Sequence, residues 1–134
     1  MNIQTVALIG TGTMGTQIAI QAALFNYAVS AYDVDQKSFL RSQAHLASII
    51  KETTSKRLPS IEEWEKAAQR VRCCHTMTEA LADVDLVIEA VAEDLSVKRQ
   101  VFKEIDASAP ATAILATNSS SIPISKIEGA TARP

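Results

Sequence analysis

The sequence lacks most of the features that would place it outside ordinary globular proteins. It has only two cysteines, Cys73 and Cys74, and they are adjacent. They make neither a metal-ligand spacing nor a disulfide framework. Neighbours in one strand point to opposite faces, so the pair is poorly placed to bridge itself. Reduced thiols in a cytoplasmic protein are expected. An excess of positive charge is also missing. The net charge is -2, which leaves no basic field for nucleic acid. No apolar run approaches the roughly 20 residues of a membrane helix. Met1-Asn2 leads straight into a strand-like run, without the charged start or cleavage site of a signal peptide. Repeats and low-complexity segments are absent.

What remains is 134 residues, 47% apolar and 21% charged, enough to bury a core as one domain over 1–134. Short β-rich apolar runs alternate with helical patterns, which predicts an α/β fold around a parallel sheet. Strands are expected at Ile3 to Ile9, Ala28 to Tyr32, Val71 to Cys74, Leu86 to Ala90 and Ala113 to Thr117. The runs around Val6, Leu86 and Ala113 are apolar at consecutive positions, as in central strands covered on both faces. The first helix, from about Gly12, carries Met14, Ile18, Ala22 and Phe25 on one face, and Asn26 is its expected stop. Thr76 with Glu79, and Ser60 with Glu63, have capping-box spacing. A last helix repeats Val97, Val101, Phe102 and Ile105 and is stopped by Pro110. The whole predicts a doubly wound sheet of order 3-2-1-4-5.

Almost forty residues separate the second and third strands, where one crossover helix would suffice. Phe39, Leu40, Leu46, Ala47 and Ile50 mark one helix, Ile61 to Arg70 a second, and Leu58-Pro59 the turn between them. A helical hairpin projecting from the sheet is expected. Its Lys51, Lys56, Arg57, Lys66 and Arg70 either serve a ligand or merely keep it soluble.

The strongest motif is Gly10-Thr11-Gly12-Thr13-Met14-Gly15, a G-x-G-x-x-G set between strand and helix. Gly10 permits the tight turn, Gly12 lets a pyrophosphate reach the backbone, and Gly15 lets helix and strand approach. The helix N-terminus adds free N–H groups and partial positive charge. Asp33 ends the second strand about 20 residues on, where a carboxylate accepts hydrogen bonds from an adenosine ribose. It would repel the extra phosphate of NADP, and no arginine follows within the turn, so NAD is favoured. A cap on the next helix is the other use of this acidic pair, and Asp35 supplies that alone.

FAD proteins share these glycines, so the second half has to decide. Leu86 to Ala90 runs into Val91-Ala92-Glu93, with Lys98 one helical turn further. Ala113 to Thr117 is followed by Asn118-Ser119-Ser120-Ser121. Both strand ends fall on the carboxyl edge, where open α/β sheets bind ligands. From the residues alone, Glu93 and Lys98 are equally readable as a surface pair at a helix start, and Asn118 with its serines as a capped turn.

Together these features resemble the 3-hydroxyacyl-CoA dehydrogenase family, over Val6 to Pro134. The resemblance rests on the glycine fingerprint ending in Met14-Gly15, Asp33, the hairpin, and Val87-Ile88-Glu89-Ala90 with Glu93 and Lys98. Thr117-Asn118-Ser119-Ser120 completes it. Dehydrogenases of the 6-phosphogluconate type share the Gly-x-Met-Gly but lack the long hairpin and the E-A-x-x-E signature. The resemblance implies that Gly10, Thr11, Gly12, Thr13, Met14 and Gly15 hold the pyrophosphate of NAD and Asp33 the adenosine ribose. It puts Ala90, Glu93 and Lys98 on the nicotinamide ribose side. Ser120, as the catalytic serine, and Asn118 would face the substrate hydroxyl, and the hairpin would lie beside the CoA.

The implied reaction is reversible oxidation of a 3-hydroxyacyl-CoA, with the hydride passing to NAD and a histidine as general base. That histidine, in a Gly-x-His-Phe strand, and its glutamate partner would follow Arg133-Pro134. So would the last strands and a helical domain that closes over the acyl chain and makes the enzyme a homodimer. His45 and His75 match no catalytic position. The 134 residues are therefore expected to be a fragment that binds NAD without turnover. A stand-alone module that binds or senses NAD is the alternative.

Overall fold

The computed structural model describes residues 2–53 and 58–133. The hairpin residues Lys56 and Arg57 fall outside them. Five strands form one parallel sheet: β1 (Thr5–Ile9), β2 (Ala28–Tyr32), β3 (Arg72–Cys73), β4 (Leu86–Glu89) and β5 (Ile114–Thr117). Their order is β3-β2-β1-β4-β5, as the alternation of patterns predicts. The order reverses beside β1, and that is where the carboxyl ends of β1 and β4 open a crevice. The helices are α1 (Thr13–Leu24), α2 (Ser38–Glu52), α3 (Ile61–Gln69), α4 (Met77–Leu81) and α5 (Leu95–Ser108). Two 3-10 turns follow, Ile124–Lys126 and Glu128–Ala130.

Each face of the sheet has its own apolar layer. On one, Val6, Leu8 and Val29 meet Ala19, Ile20 and Ala23 of α1 and Trp64 and Ala67 of α3. On the other, Ala7, Ile9 and Val87 meet Ala80 and Leu81 of α4 and Ile105 of α5. β1 is buried from Val6 to Ile9 because helices cover both of its sides. β5 differs from the expectation for a central strand: it is an edge, and Ile114 is exposed.

The apolar face assigned to α1 is also not the one that packs. Gly15, Thr16, Ala19, Ile20 and Ala23 are buried, whereas Met14 is 53% and Phe25 69% exposed and Ile18 and Ala22 only half-buried. The reason is clearance. A Cβ at Gly15 would lie 1.9 Å from the Gly10 carbonyl oxygen, so the helix start seats against the β1 turn only on the side where Gly15 stands. Asn26 does end the helix, in the left-handed region at φ 65°, a conformation asparagine tolerates.

The hairpin does not simply project. Phe39, Leu46, Trp64, Ala67 and Ala68 are buried in the same core as α1, and each large side chain among them contributes on the order of 1.5–3 kcal/mol. Leu40, by contrast, is exposed. Arg70 is not a solubilising charge either. Its guanidinium donates to the Ala23 carbonyl and to Asn26 Oδ1 (3.1 Å), tying α3 to the end of α1. Lys51 makes an exposed ion pair with Glu65 at 3.7 Å.

The Ser60–Glu63 capping box forms with both reciprocal bonds. The Thr76–Glu79 box forms only half. Thr76 Oγ1 accepts from the Glu79 N–H (3.1 Å), but the Glu79 carboxylate reaches one residue further back, to the His75 N–H (3.1 Å).

Candidate functional site

A cleft of about 370 Å³ opens above the carboxyl ends of β1, β2 and β4. Its floor is the turn from β1 into α1. Gly10 has φ 97°, and a Cβ there would meet the Ala90 carbonyl carbon and oxygen at 2.7 Å. Gly10 is thus required by backbone geometry and by the approach of β4. Gly12 is different. It is the N-cap of α1, a Cβ on it would meet nothing within 4 Å, and no side chain caps the helix. The first N–H groups of α1 therefore point into open space beside Gly12, as an anionic diphosphate requires. Thr13 and Met14 follow in the first turn, both exposed. The Met14 side chain turns to an open apolar groove on the outer side of α1, with Ile18, Ala22, Phe25 and Tyr27.

Thr11 is buried and anchors the turn. Its N–H and hydroxyl donate to Asp33 Oδ2 at 2.7 and 3.2 Å. Its carbonyl accepts the hydroxyls of Thr16 (2.8 Å), Ser38 (2.9 Å) and Ser42 (3.0 Å). Asp33 lines the cleft, and its Oδ1 accepts the Asp35 N–H at 2.9 Å. An ionised carboxylate has about four acceptor sites, so it retains capacity for a ribose. Asp35 serves the next turn, accepting the Lys37 N–H at 3.0 Å. The Arg41 guanidinium at 2.5 Å holds the Asp35 carboxyl below the usual range. An arginine thus stands near this acidic turn, six residues beyond Asp35 and already paired to it.

The rest of the cleft is apolar. Val34, Met77, Val91, Ala92, Val97 and Val101 wall it, the apolar lining typical of a cofactor pocket. The sequence reading assigned Val97 and Val101 to the helix's packing stripe. Val101, Phe102 and Ile105 do pack inward, Val101 also bordering the cleft, but Val97 is exposed at the cleft's edge.

Beyond Ala90 the site becomes polar. Lys98 is not half of a surface pair. It is 1% exposed, and its ammonium donates to Glu89 Oε1 at 2.7 Å and lies 3.3 Å from Glu93 Oε2. Glu89, which the sequence reading quoted in the E-A-x-x-E signature but gave no role, is 0% exposed. It accepts the Val91 N–H (2.7 Å) on Oε1 and the Thr117 hydroxyl (2.6 Å) on Oε2. A signal for it was present: a charge ending an otherwise apolar central strand needs a buried partner, and Lys98 is the cation nine residues on. Glu93 reaches the serine loop after β5. It accepts from Ser119, the Ser121 hydroxyl (2.7 Å) and the Ser121 N–H (3.3 Å). These donors, Ser119 first, push its carboxyl down to about 2.

Asn118 and Ser120 are exposed on that loop, and the Asn118 N–H donates to the Glu89 carbonyl (2.8 Å). Ser119 and Ser121, not Ser120, take the structural bonds, which leaves the Ser120 hydroxyl without a hydrogen bond among the described residues. Neither histidine is near. His45 is exposed on α2, and His75 follows β3, at the opposite edge of the sheet from β5. No cluster of metal-ligating side chains occurs among the described residues.

Glycine cradle, uncapped helix start, acidic strand end and apolar slot together fit a dinucleotide. Residues 5–134 match the family model described as 3-hydroxyacyl-CoA dehydrogenase, NAD binding domain. The chain belongs to this family. It therefore carries an NAD-binding domain of the 3-hydroxyacyl-CoA dehydrogenase type, and the resemblance stated from the sequence holds.

Among its relatives is a probable 3-hydroxybutyryl-CoA dehydrogenase of Bacillus subtilis, 34% identical over the whole chain and 46% of the relative. Another is the human peroxisomal bifunctional enzyme, 34% identical over 98% of the chain and 18% of the relative. Among solved structures, the (S)-3-hydroxybutyryl-CoA dehydrogenase of Ralstonia eutropha superposes with a TM-score of 0.84. It is 30% identical, over 98% of this chain and 46% of that one. The chain thus spans less than half the length of these dehydrogenases.

Proposed function

We propose that this chain is the cofactor-binding part of an enzyme that reversibly oxidises a 3-hydroxyacyl-CoA to the 3-ketoacyl-CoA. One observation carries the reading: the glycine cradle and the Glu89–Lys98–Glu93 network stand at neighbouring strand ends, beside an unengaged Ser120 hydroxyl. NAD, when bound, supplies the hydride acceptor. Gly10 to Gly15 bind its pyrophosphate, and Asp33 orients the adenosine ribose. Ala90 and Glu93 border the nicotinamide ribose, whereas Lys98, expected beside them, is sealed beneath and acts through Glu93. Ser120, with Asn118, orients the substrate hydroxyl, and the hairpin lies along the CoA, where Lys51 and Lys66 supply positive charge. The complete enzyme is read as a homodimer. The two free cysteines of this chain support the cytoplasm as its compartment.

Titration calorimetry tests the cofactor assignment. The chain should bind NADH more tightly than NADPH, and Asp33→Ala should narrow that gap. Equal affinities in the unmutated chain would remove it.

Turnover needs a base at the substrate hydroxyl, a contribution of about 10²–10⁴-fold, and no histidine lies beside Ser120. Residues 1–134 alone should therefore bind NAD yet leave 3-hydroxybutyryl-CoA unoxidised. The same observation favours a second reading, a module that binds NAD without catalysis. Binding of 3-hydroxybutyryl-CoA to the NAD-loaded chain supports the enzyme. Its absence at millimolar concentration supports the module.

A further inference from the structure

At the polar end of the cleft, two carboxylates share one ammonium. Glu89 and Lys98 are both fully buried, and a buried charge is tolerated only when compensated. The contacts show which carboxylate does the compensating. Lys98 Nζ is 2.7 Å from Glu89 but 3.3 Å from Glu93. Glu93 instead is filled by hydroxyl and N–H donors from Ser119 and Ser121. Those donors are neutral, so they stabilise its charge without cancelling it. Glu93 is partly exposed, next in the chain to Ala92 of the cleft wall, while Glu89 and Lys98 are sealed.

We propose that Glu89 is a positioning residue that neutralises Lys98, leaving Glu93 as the unbalanced negative charge at the nicotinamide end of the cleft. The excess charge biases the site toward the oxidised cofactor, whose pyridinium is positive, over the reduced one, whose dihydropyridine is neutral. This rests on the reading above, in which Glu93 borders the nicotinamide ribose.

The neighbouring charges are the same in every variant, so they drop out of the comparison. Asp94 keeps its charge but is turned to its own helix, accepting from Ser96 and the Val97 N–H. Arg99 is turned away to the Lys126 carbonyl. Glu89 has the geometry of a fixed counter-charge. Three donors hold it on both oxygens, from Val91, Thr117 and Lys98, so it does not rearrange when a ligand arrives.

The test is charge algebra on the intact chain, read by calorimetry with NAD+, NADH and ADP-ribose. The readout is the ratio of the NAD+ to the NADH dissociation constant. Glu89→Gln frees Lys98 to cancel Glu93, and Glu93→Gln removes the excess charge directly. Each should raise the ratio on the order of threefold to tenfold, the scale of one partly exposed charge acting at close range through water-like screening. Lys98→Met should lower it. Glu89→Gln combined with Lys98→Met restores the original excess charge and should return the ratio to that of the unmutated chain.

ADP-ribose has no nicotinamide, so its affinity should stay within about twofold throughout and reports an intact glycine side. If the Glu89 variant does not fold, Glu93→Gln and the double variant decide. A ratio that stays constant across the variants while ADP-ribose still binds overturns the proposal and leaves the cofactor reading standing. So does a double variant that fails to return. If variants lose ADP-ribose as well, the network is structural and the proposal falls. An unmutated chain that binds none of the three ligands ends both.

Discussion

The two halves of the cleft are built by opposite means. The β1–α1–β2 half works by subtraction: glycines without side chains, a helix start without a cap, backbone N–H groups left free. The β4–α5–β5 half works by addition: two carboxylates, one ammonium, and hydroxyls from Thr117, Ser119 and Ser121 locked into one network. A site made from backbone is positioned by the fold itself, so it is hard to misplace and tolerant of pH. A site made from buried charge is positioned by its partners, so deleting one leaves another stranded. The two halves should fail differently.

The largest difference should come from Lys98→Met. It strands Glu89 in a fully buried position, and breaking such a pair costs about 3–5 kcal/mol. Urea denaturation should show that loss; a change below about 1 kcal/mol would mean that the carboxylate finds water or a proton cheaply. The double change Glu89→Gln with Lys98→Met should recover most of the stability.

Next in size is a contrast inside the glycine half. Gly15→Ala places a Cβ 1.9 Å from the Gly10 carbonyl oxygen, and overpacking of this kind costs about 1–3 kcal/mol. Gly12→Ala meets nothing within 4 Å, so it should leave the melting temperature unchanged while weakening NADH binding on the order of tenfold or more. Equal effects of the two on stability would erase the distinction between a glycine kept for packing and one kept for a ligand.

The smallest effect is on acid stability. The Glu93 carboxyl is lowered from 4.5 to about 2 by Ser119, Ser121 and Lys98. A lowered folded-state value gives stability that is present above 4.5 and lost as the pH falls toward 2. Glu93→Gln should flatten the stability profile across that window and leave the profile near neutrality parallel. Because the group is exposed, the change should be modest.

The subtractive half was almost fully legible in the sequence. Gly10, Gly12, Gly15 and Asp33 have fixed spacings, and each spacing has one geometrical meaning. The additive half was half legible. Glu93 and Lys98 were marked, but Glu89 was read as part of a strand because its charge is balanced only in three dimensions. The α1 face failed for a related reason. Periodicity finds apolar residues, and both sides of α1 are apolar; clearance against Gly10, which sequence does not display, selects the side that carries Gly15. The hairpin was found by its length, yet its buried face around Trp64 could not be told from an exposed appendage until α1 was in place.

The Thr11 carbonyl, which receives Thr16, Ser38 and Ser42, has a consequence in time rather than in space. Two of its donors come from 27 and 31 residues down the chain. Closing loops of that length is a late, entropically costly event compared with forming a helical turn. The phosphate-binding turn should therefore reach its final shape only after α2 has docked, although every residue of its glycine pattern is local. Pulse-labelled hydrogen exchange during refolding should show it: amides of α1 protected early, and the Thr11 amide only together with the hairpin's first turn.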